Sequence, residues 1–285
     1  MSHRYCITDV FAEGPYAGNQ LATVFDAMDI ASDEMQKIAR AFNFPETTFI
    51  LGGSLEAGFD VRIFTPAAEV PFAGHPTLGT AFLIRENLVS EATTRITLNL
   101  GVGKIPVDFG DDGVLWMQQQ APTFGETLER ASVAADLGLS VTDLDPDLPV
   151  QRVSTGLEFV IVPLNSPEAL KRAYSPRGSL GRGVLVFCRG SYDDGQSLMA
   201  RMFADELGVT EDPATGSANG CLAAYLVNHD YFGDSGNRVR VNVGQGYEIK
   251  RPSQLYLDAG CEGGEAWSIR VGGRVALVAE GQWLR

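Results

Sequence analysis

Several signatures of common protein classes are missing from this sequence. No apolar run approaches the roughly 18 residues of a membrane-spanning helix, and the first residues lack the apolar core of a secretory signal peptide. The four cysteines, at positions 6, 188, 221 and 261, form no Cys-x-x-Cys pair. These features predict a cytoplasmic protein with reduced thiols and no membrane partner.

Positive charge is also scarce. Lys and Arg number 22 against 36 Asp and Glu, and the net charge of −14 argues against a nucleic-acid partner, because nucleic acid binds basic surfaces. With three histidines and no His-Glu-x-x-His, Walker, Gly-x-Gly-x-x-Gly or Gly-x-Ser-x-Gly motif, the sequence predicts no metal site and lacks the usual nucleotide and hydrolase signatures. A small anionic substrate stays compatible, since a few local donors outweigh a distant surface field.

The chain does contain an internal repeat. The stretch EVPFAG from Glu69 matches EDPATG from Glu211 at Glu, Pro and Gly, 142 positions later. RIF from Arg62 matches RMF from Arg201 at a shift of 139, and LNLGVG matches VNVGQG at a shift of 143. Three matches in one order predict a duplicated unit of about half the chain.

Each copy has the same predicted elements. A strand (61–65 or 198–203) precedes the Glu-x-Pro-x-x-Gly turn, and an apolar helix follows it, PTLGTAFLIREN or ANGCLAAYLVNH. A helix that is apolar on nearly all sides must be surrounded by other elements. Alternating stretches such as RVRVNV and WSIRVGGRVALVAEG predict antiparallel hairpins.

This pattern predicts an α+β fold of two pseudo-symmetric halves, each a curled, mostly antiparallel sheet around a central helix. We expect an N-terminal half-barrel at 1–120 and a C-terminal half-barrel at 121–285, with the last strand, about 275–285, able to pack back on the first half. Residues 119–150 match no repeat; there, ETLERASVAADLGL indicates a connecting helix and a linker.

The duplicated turns suggest where a ligand binds. Pro76 suits the first helical position with His75 as the cap, while Gly216 and Ser217 open the second helix, Ser being a favoured cap. Two helix N-termini facing each other across a cleft between the halves would cradle a carboxylate or phosphate.

The two copies differ at this turn. Val70 corresponds to Asp212 and His75 to Ser217. Such polar differences point to chemistry, although Asp212 as a dipole-bound carboxylate, His75 as a cap or core histidine and Ser217 as a plain N-cap stay open. Glu211 matches Glu69, which favours a shared structural role for that acid.

A further candidate is Glu46. The stretch SDEMQKIARAF predicts a helix capped by Ser32 and ended by the residues at 43–45, after which Glu46 opens the strand ETTFI. Facing a sheet interior, Glu46 would have its pKa raised by desolvation and suit proton transfer. A solvated glutamate at a strand end is the alternative.

Six stretches carry a resemblance to a known family: DVFAEGPYAGNQLATVF, NFPETTFI, TPAAEVPFAGHPTLGTAFL, VSTGLEFVIVPL, EDPATGSANGCLAAYL and GQGYEIKRPSQL. Together they resemble the PhzF family, the phenazine-biosynthesis isomerase-like proteins. The resemblance runs in order from about residue 5 to the C-terminus. It implies the diaminopimelate epimerase-like fold, with the site between two similar halves, and a homodimer.

The resemblance also implies site residues. A glutamate of the family moves a proton between carbons of a dihydro-hydroxyanthranilate without cofactor or metal, and it falls on Glu46. Substrate-holding residues fall on the positions His75, Asp212 and Ser217, with N–H groups from Gly74 and Gly216. Asn19 in GNQ matches a family block near the site. Pro45 replaces a small polar residue of the family motif, which alters how Glu46 is presented.

These features predict a cofactor-independent isomerase that moves a proton on a small carboxylate-bearing substrate. A dehydratase or epimerase using the same carboxylates is an alternative, as is a non-catalytic scaffold that binds a small molecule. Racemisation by two thiols is disfavoured, because Ala73 precedes Gly74 and no cysteine precedes a glycine.

Overall fold

The structure is a computed structural model and describes residues 2–181, 183–205, 209–233, 236–263 and 265–284. The chain forms two compact units, Met1–Met117 with Gly273–Arg285 (the first unit) and Gln118–Gly272 (the second unit). The helices and strands up to Gln118 are, in chain order, β1 Ser2–Val10, β2 Asn19–Val24, α1 Ser32–Phe42, β3 Glu46–Ser54, β4 Gly58–Phe64, β5 Glu69–Val70, α2 Gly74–Asn87, β6 Arg95–Leu100, β7 Gly103–Phe109 and β8 Leu115–Gln118. The remainder are β9 Thr123–Thr127, α3 Arg130–Asp136, β10 Gln151–Ser154, β11 Glu158–Pro163, α4 Pro167–Arg172, β12 Val184–Arg189, β13 Leu198–Ala204, β14 Val209–Asp212, α5 Gly216–Asn228, β15 Arg238–Gln245, β16 Ser253–Glu262, β17 Ala266–Gly273 and β18 Val275–Leu284.

The strands of the first unit pair in the order β18-β1-β2-β3-β4-β6-β7-β8. The pairs β2–β3 and β4–β6 are parallel and the others are antiparallel. The short strand β5 pairs with the end of β4. Each parallel pair brackets one helix, α1 or α2, as parallel strands require a crossover connection.

The second unit repeats this order as β9-β10-β11-β12-β13-β15-β16-β17. Its parallel pairs, β11–β12 and β13–β15, occupy the same places, and β14 pairs with β13 as β5 pairs with β4. Helices α4 and α5 take the positions of α1 and α2. The two units therefore have one topology.

One buried helix forms the centre of each unit. Helix α2 contacts β18, β1, β2 and β3 as well as β6 and β7, so strands from both ends of the sheet reach it and the sheet must curl. In the second unit, α5 is buried at every residue from Gly216 to Leu226 and contacts β10, β11, β15 and β16. The predicted α+β class, with curled sheets around central helices, is confirmed.

The predicted helix caps were wrong by one or two residues. The N-cap of α1 is Ala31, that of α2 is Ala73 and that of α5 is Thr215. Ser32, His75 and Ser217 instead lie in the first turns of these helices. Their side chains are therefore available to partners other than the first free N–H groups.

Two predicted connections were also wrong. The stretch WSIRVGGRVALVAEG is not a hairpin, because β17 pairs with β16 while β18 pairs with β1. Residues 119–150 contain the predicted helix, α3, but they also contain β9, which takes the place in its sheet that β18 takes in the first unit.

The structure corrects one register of the sequence repeat. Phe59 of β4 pairs with Leu98, and Leu198, its counterpart in β13, pairs with Val243. The strands β6 and β15 therefore correspond at a shift of 145 residues and not 143. Because the difference is two residues, the matched side chains still face the same side of the sheet.

Candidate active site

Glu46 and His75 lie together in the first unit. Glu46 begins β3 directly after α1, and His75 lies in the first turn of α2. Oε2 of Glu46 is 3.2 Å from Nε2 of His75, and the two side chains are 18% and 7% exposed. The glutamate is therefore mostly enclosed and in contact with a buried imidazole, not solvated as a strand end would be.

Burial sets the charge of this histidine. Desolvation lowers the pKa of His75 to about 3, although a hydrogen bond to the backbone of Gln20 acts in the opposite direction. The imidazole is thus neutral near pH 7. Nε2 is the nitrogen that faces Glu46, so the ring N–H donated to the Gln20 carbonyl is that of Nδ1.

Asn19 and Gly74 border the same pair. Asn19 begins β2 and is fully buried, two residues before Leu21, which is the register partner of Glu46 in β3. It also precedes Gln20, whose carbonyl holds His75. Gly74 is the first residue of α2, where backbone N–H groups lack partners within the helix. The first unit thus brings together four of the seven predicted site residues.

The other three belong to the second unit. Asp212 ends β14 and is half-buried, and its carboxylate accepts a hydrogen bond from the hydroxyl of Thr215. Gly216 and Ser217 form the first turn of α5, in which both are buried. The N-terminus of this 13-residue helix carries the partial positive charge of its dipole.

Glu211, which is next to Asp212, forms an ion pair with an arginine, and the same ion pair occurs in the first unit. Arg201 forms a two-pronged ion pair with Glu211 (3.0 and 2.7 Å), and Arg62 forms the same pair with Glu69 (2.7 and 2.6 Å). The glutamate that recurs in both copies therefore stabilises its turn through this ion pair, which agrees with the structural role that its recurrence favours.

Burial disfavours the thiolate form of Cys6, Cys188 and Cys221 by raising the pKa of each thiol. Cys6, Cys188, Cys221 and Cys261 are all buried. Desolvation raises the pKa of Cys188 to about 12 and that of Cys221 to about 11. Ala73 and Thr215 precede the turn glycines, where thiol chemistry would need cysteines.

Metal binding and membrane insertion find no support among the described residues. Within those ranges, no group of three or more His, Cys, Asp and Glu side chains is placed to hold a metal ion. Of the helices that the structure describes, none combines the length and apolarity needed to cross a bilayer.

Two buried polar residues next to the turn of the second unit were not identified from the sequence. Gln245 and Asn219 are fully buried and hydrogen-bonded to each other, and Gln245 also donates to the backbone of Asp212. A signal was present for both. Asn219 interrupts an apolar helix, and Gln245 stands between two glycines at the end of a strand.

Two curled units of one topology, each built around a buried central helix, define an epimerase-like fold. A hydroxyproline epimerase from Agrobacterium vitis has this fold, with a TM-score of 0.57 at 10% identity over 99% of this chain and 92% of that one. The family model described as "Phenazine biosynthesis-like protein" (PhzC-PhzF) matches residues 8–281. The chain belongs to this family, as its sequence motifs predict, and it is an enzyme of the isomerase type.

Known members of the family are similar over their whole length. The trans-2,3-dihydro-3-hydroxyanthranilate isomerase of Pseudomonas aeruginosa is 34% identical over 286 residues, covering 98% of this chain and 99% of the relative. The "uncharacterized isomerase YddE" of Escherichia coli K12 is 29% identical, with 96% of each chain covered. A PhzF family protein of Bacillus anthracis superposes with a TM-score of 0.90 at 28% identity and full coverage of both chains.

Proposed function

We propose that this protein is a cofactor-independent isomerase that moves a proton on a small, carboxylate-bearing metabolite by general acid–base catalysis. Glu46 is the acid and base. The observation that supports this most directly is the 3.2 Å contact between its carboxyl group and the neutral imidazole of His75, in surroundings that exclude most water.

The contact implies where a proton resides. With Nδ1–H donated to the Gln20 carbonyl, Nε2 of the neutral ring carries a lone pair. A carboxylate oxygen facing that lone pair would be repelled, whereas a carboxylic O–H would be attracted. We propose that, before substrate binds, the reacting proton is carried by Glu46 on the side that faces the Nε2 lone pair of His75.

Proton transfer then takes two steps. The Glu46 O–H donates its proton to one carbon of a conjugated enol or diene, and the carboxylate that results removes a proton from another carbon. The double bond migrates, Glu46 ends protonated as it began, and no electrons enter or leave. A buried carboxyl group suits both steps because its charged and neutral forms are closer in energy than in water.

The remaining site residues hold the substrate in this proposal. Asp212 accepts hydrogen bonds from a substrate hydroxyl or amine, and Asn19 donates or accepts near Glu46. Ser217 and the backbone N–H groups at Gly74 and Gly216 bind the carboxylate, since helix N-termini favour anions by about 0.3–1 kcal/mol each and more when sheltered.

The test uses the substrate of the Pseudomonas aeruginosa relative as a probe. The purified protein is incubated with trans-2,3-dihydro-3-hydroxyanthranilate in deuterated water, and the product is analysed by NMR and mass spectrometry. We expect a migrated double bond and deuterium on carbon. Glu46→Gln should lower turnover by about 10²–10⁴-fold and leave binding of the probe, measured by calorimetry, within a few-fold.

The matched control is Glu56→Gln, the same change at an exposed glutamate beyond the end of β3, which should leave turnover unchanged. Full activity in Glu46→Gln rejects the assignment. Loss of water or inversion at carbon would identify a dehydratase or an epimerase. Binding of the probe without deuterium exchange would identify a scaffold.

A further inference from the structure

A chain of hydrogen bonds that begins at the buried pair Asn219 and Gln245 ends on the carboxylate of Asp212. Nδ2 of Asn219 donates to Oε1 of Gln245 (2.9 Å), and Nε2 of Gln245 contacts Oγ1 of Thr215 (3.4 Å). The Thr215 hydroxyl then donates to Oδ2 of Asp212. Gln245 also donates to the backbone carbonyl of Asp212 (2.8 Å), so it holds the residue by two routes.

The direction of this chain is fixed by its members. Nδ2 of Asn219 also donates to the Thr215 carbonyl (3.0 Å), so both its partners are acceptors and the amide has one favourable orientation. Gln245 must then present its oxygen to Asn219 and its N–H groups to Thr215 and Asp212. Because the hydroxyl of Thr215 accepts from Gln245, its own proton is left for Asp212.

The first unit builds the same turn without this chain. Gly101 lies against Pro71 and Gly246 against Pro213, which confirms the shift of 145 residues and makes Leu100 the counterpart of Gln245. On the turn and helix, Val70 corresponds to Asp212, and the counterparts of Thr215 and Asn219 are Ala73 and Thr77.

The local backbone bond is common to both copies. The side chain of Thr77 donates to the Ala73 carbonyl (2.8 Å), as the side chain of Asn219 donates to the Thr215 carbonyl. The second unit adds two polar residues, Gln245 and Thr215, that donate hydrogen bonds to Asp212. Burying a side-chain amide is unfavourable unless it is hydrogen-bonded, and Leu100 shows that the fold does not need one there.

We infer that Thr215, Gln245 and Asn219 are positioning residues that hold the Asp212 carboxylate in one orientation toward the substrate. This inference rests on the proposed role of Asp212 in substrate binding. The geometry gives each residue a distinct part. Thr215 fixes the carboxylate, Gln245 fixes Thr215 and the Asp212 backbone, and Asn219 orients Gln245.

Kinetics with trans-2,3-dihydro-3-hydroxyanthranilate form the first arm of the test. Thr215→Val, which keeps the shape and removes the hydroxyl, and Gln245→Leu, which copies the first unit, should each lower kcat/KM by about ten- to a hundredfold. Thr215→Ser should stay within about threefold of the wild type because it keeps the donor. In an Asp212→Ala background, which removes the acceptor of the Thr215 hydroxyl, the Thr215→Val change should have no further effect on kcat/KM.

The matched control is Thr80→Val, which removes a buried hydroxyl that donates to Thr48 in the first unit and should leave kcat/KM unchanged. Crystal structures form the second arm and need no substrate. The Asp212 carboxylate should occupy one rotamer in the wild type and Thr215→Ser, and leave that position or divide between rotamers in Thr215→Val and Gln245→Leu.

The two arms separate the two hypotheses. An active Glu46→Gln rejects the proposed function. In that case, or if the wild type does not convert this probe, the crystal structures decide the positioning role alone. An unmoved Asp212 carboxylate in both Thr215→Val and Gln245→Leu overturns the inference. So does a loss in Thr215→Val that is equally large in the Asp212→Ala background.

Discussion

At the scale of single residues, His75 shows how burial controls a charge that the sequence leaves open. The first turn of a helix would repel a cationic imidazole, because the helix dipole is positive there. Desolvation lowers the pKa of His75 to about 3, and the Gln20 carbonyl fixes the tautomer. The result is a neutral base facing Glu46, which a count of histidines could not predict.

This has a consequence for stability against pH. In the unfolded chain His75 has an ordinary pKa of 6.5, whereas in the fold it is lowered to about 3. Between these values the unfolded state binds one more proton, so the free energy of unfolding falls as the pH is lowered. From pH 7 to pH 5 the loss is about 2 kcal/mol. Urea titrations at both pH values should show that His75→Gln removes this part of the acid destabilisation.

The control is His229→Gln. His229 is half-buried and its Nε2 contacts Oε1 of Gln151 (2.8 Å), and its pKa is lowered by desolvation alone. The same substitution there should remove a smaller part of the pH dependence. An acid slope in His75→Gln equal to that of the wild type would contradict a neutral buried His75.

At the scale of elements, the helix termini separate what the sequence predicts from what it does not. The apolar runs of α2 and α5 and the turns before them were predictable, since a helix without a polar face must be central. The caps were not. Ser32 accepts a bond from Arg62 and His75 faces Glu46, so tertiary partners take side chains that local rules assign to the backbone.

The approach of α2 to its sheet depends on Gly79. A Cβ atom added there would lie 2.6 Å from Leu21 and 2.9 Å from Val10, both fully buried. Overpacking of this kind costs about 1–3 kcal/mol, which exceeds the roughly 1 kcal/mol that alanine gains over glycine within a helix. Gly79→Ala should therefore lower the free energy of unfolding, and Gly79→Val should lower it further.

Gly14→Ala provides the comparison, because no atom lies within 4 Å of the added Cβ. Its unfolding free energy, measured by urea denaturation, should stay within about 0.5 kcal/mol of the wild type. If Gly79→Ala were as stable as Gly14→Ala, the close packing of α2 on β1 and β2 would not be what requires glycine.

At the scale of the whole molecule, the repeat was visible in the sequence because it survives where backbone geometry demands it. Glu, Pro and Gly recur in EVPFAG and EDPATG, and the glycines open α2 and α5. The match of LNLGVG to VNVGQG was two residues out of register, since Gly101 contacts Pro71 in the place where Gly246 contacts Pro213. The correct register is given by the pairing of the strands and not by the similarity of the two sequence stretches.

Chain connectivity near the C-terminus was hard to predict, because the alternating pattern favoured a hairpin in the same region where the last strand was also expected to pack back on the first half. Only Arg274 separates β17 from β18, yet β17 pairs with β16 and β18 pairs with β1. A hairpin of the same sequence would satisfy the same alternating pattern. The outcome depends on β1, which pairs with β18 in antiparallel orientation along its whole length. The paired residues are almost an entire chain apart, and local sequence patterns do not encode such a contact.

The duplicated ion pair allows the two units to be compared under one substitution. Arg201 and Glu211 are 9% and 7% exposed, whereas Arg62 and Glu69 are 27% and 44% exposed. Each guanidinium also lies about 5 Å from the centre of a phenylalanine ring two residues on. Arg201 alone donates to three backbone carbonyls, those of Leu170, Lys171 and Ala173.

Removing the arginine should therefore have unequal effects in the two copies. Arg201→Met leaves the buried carboxylate of Glu211 without its counter-ion and should cost about 3–5 kcal/mol of unfolding free energy. Arg62→Met leaves Glu69 able to reach water and should cost about 0–1 kcal/mol. Urea denaturation of both variants, with Glu211→Gln added to Arg201→Met, measures the difference. The double variant should recover stability because it removes the unpaired charge. Equal losses in the two arginine variants would contradict burial as the cause.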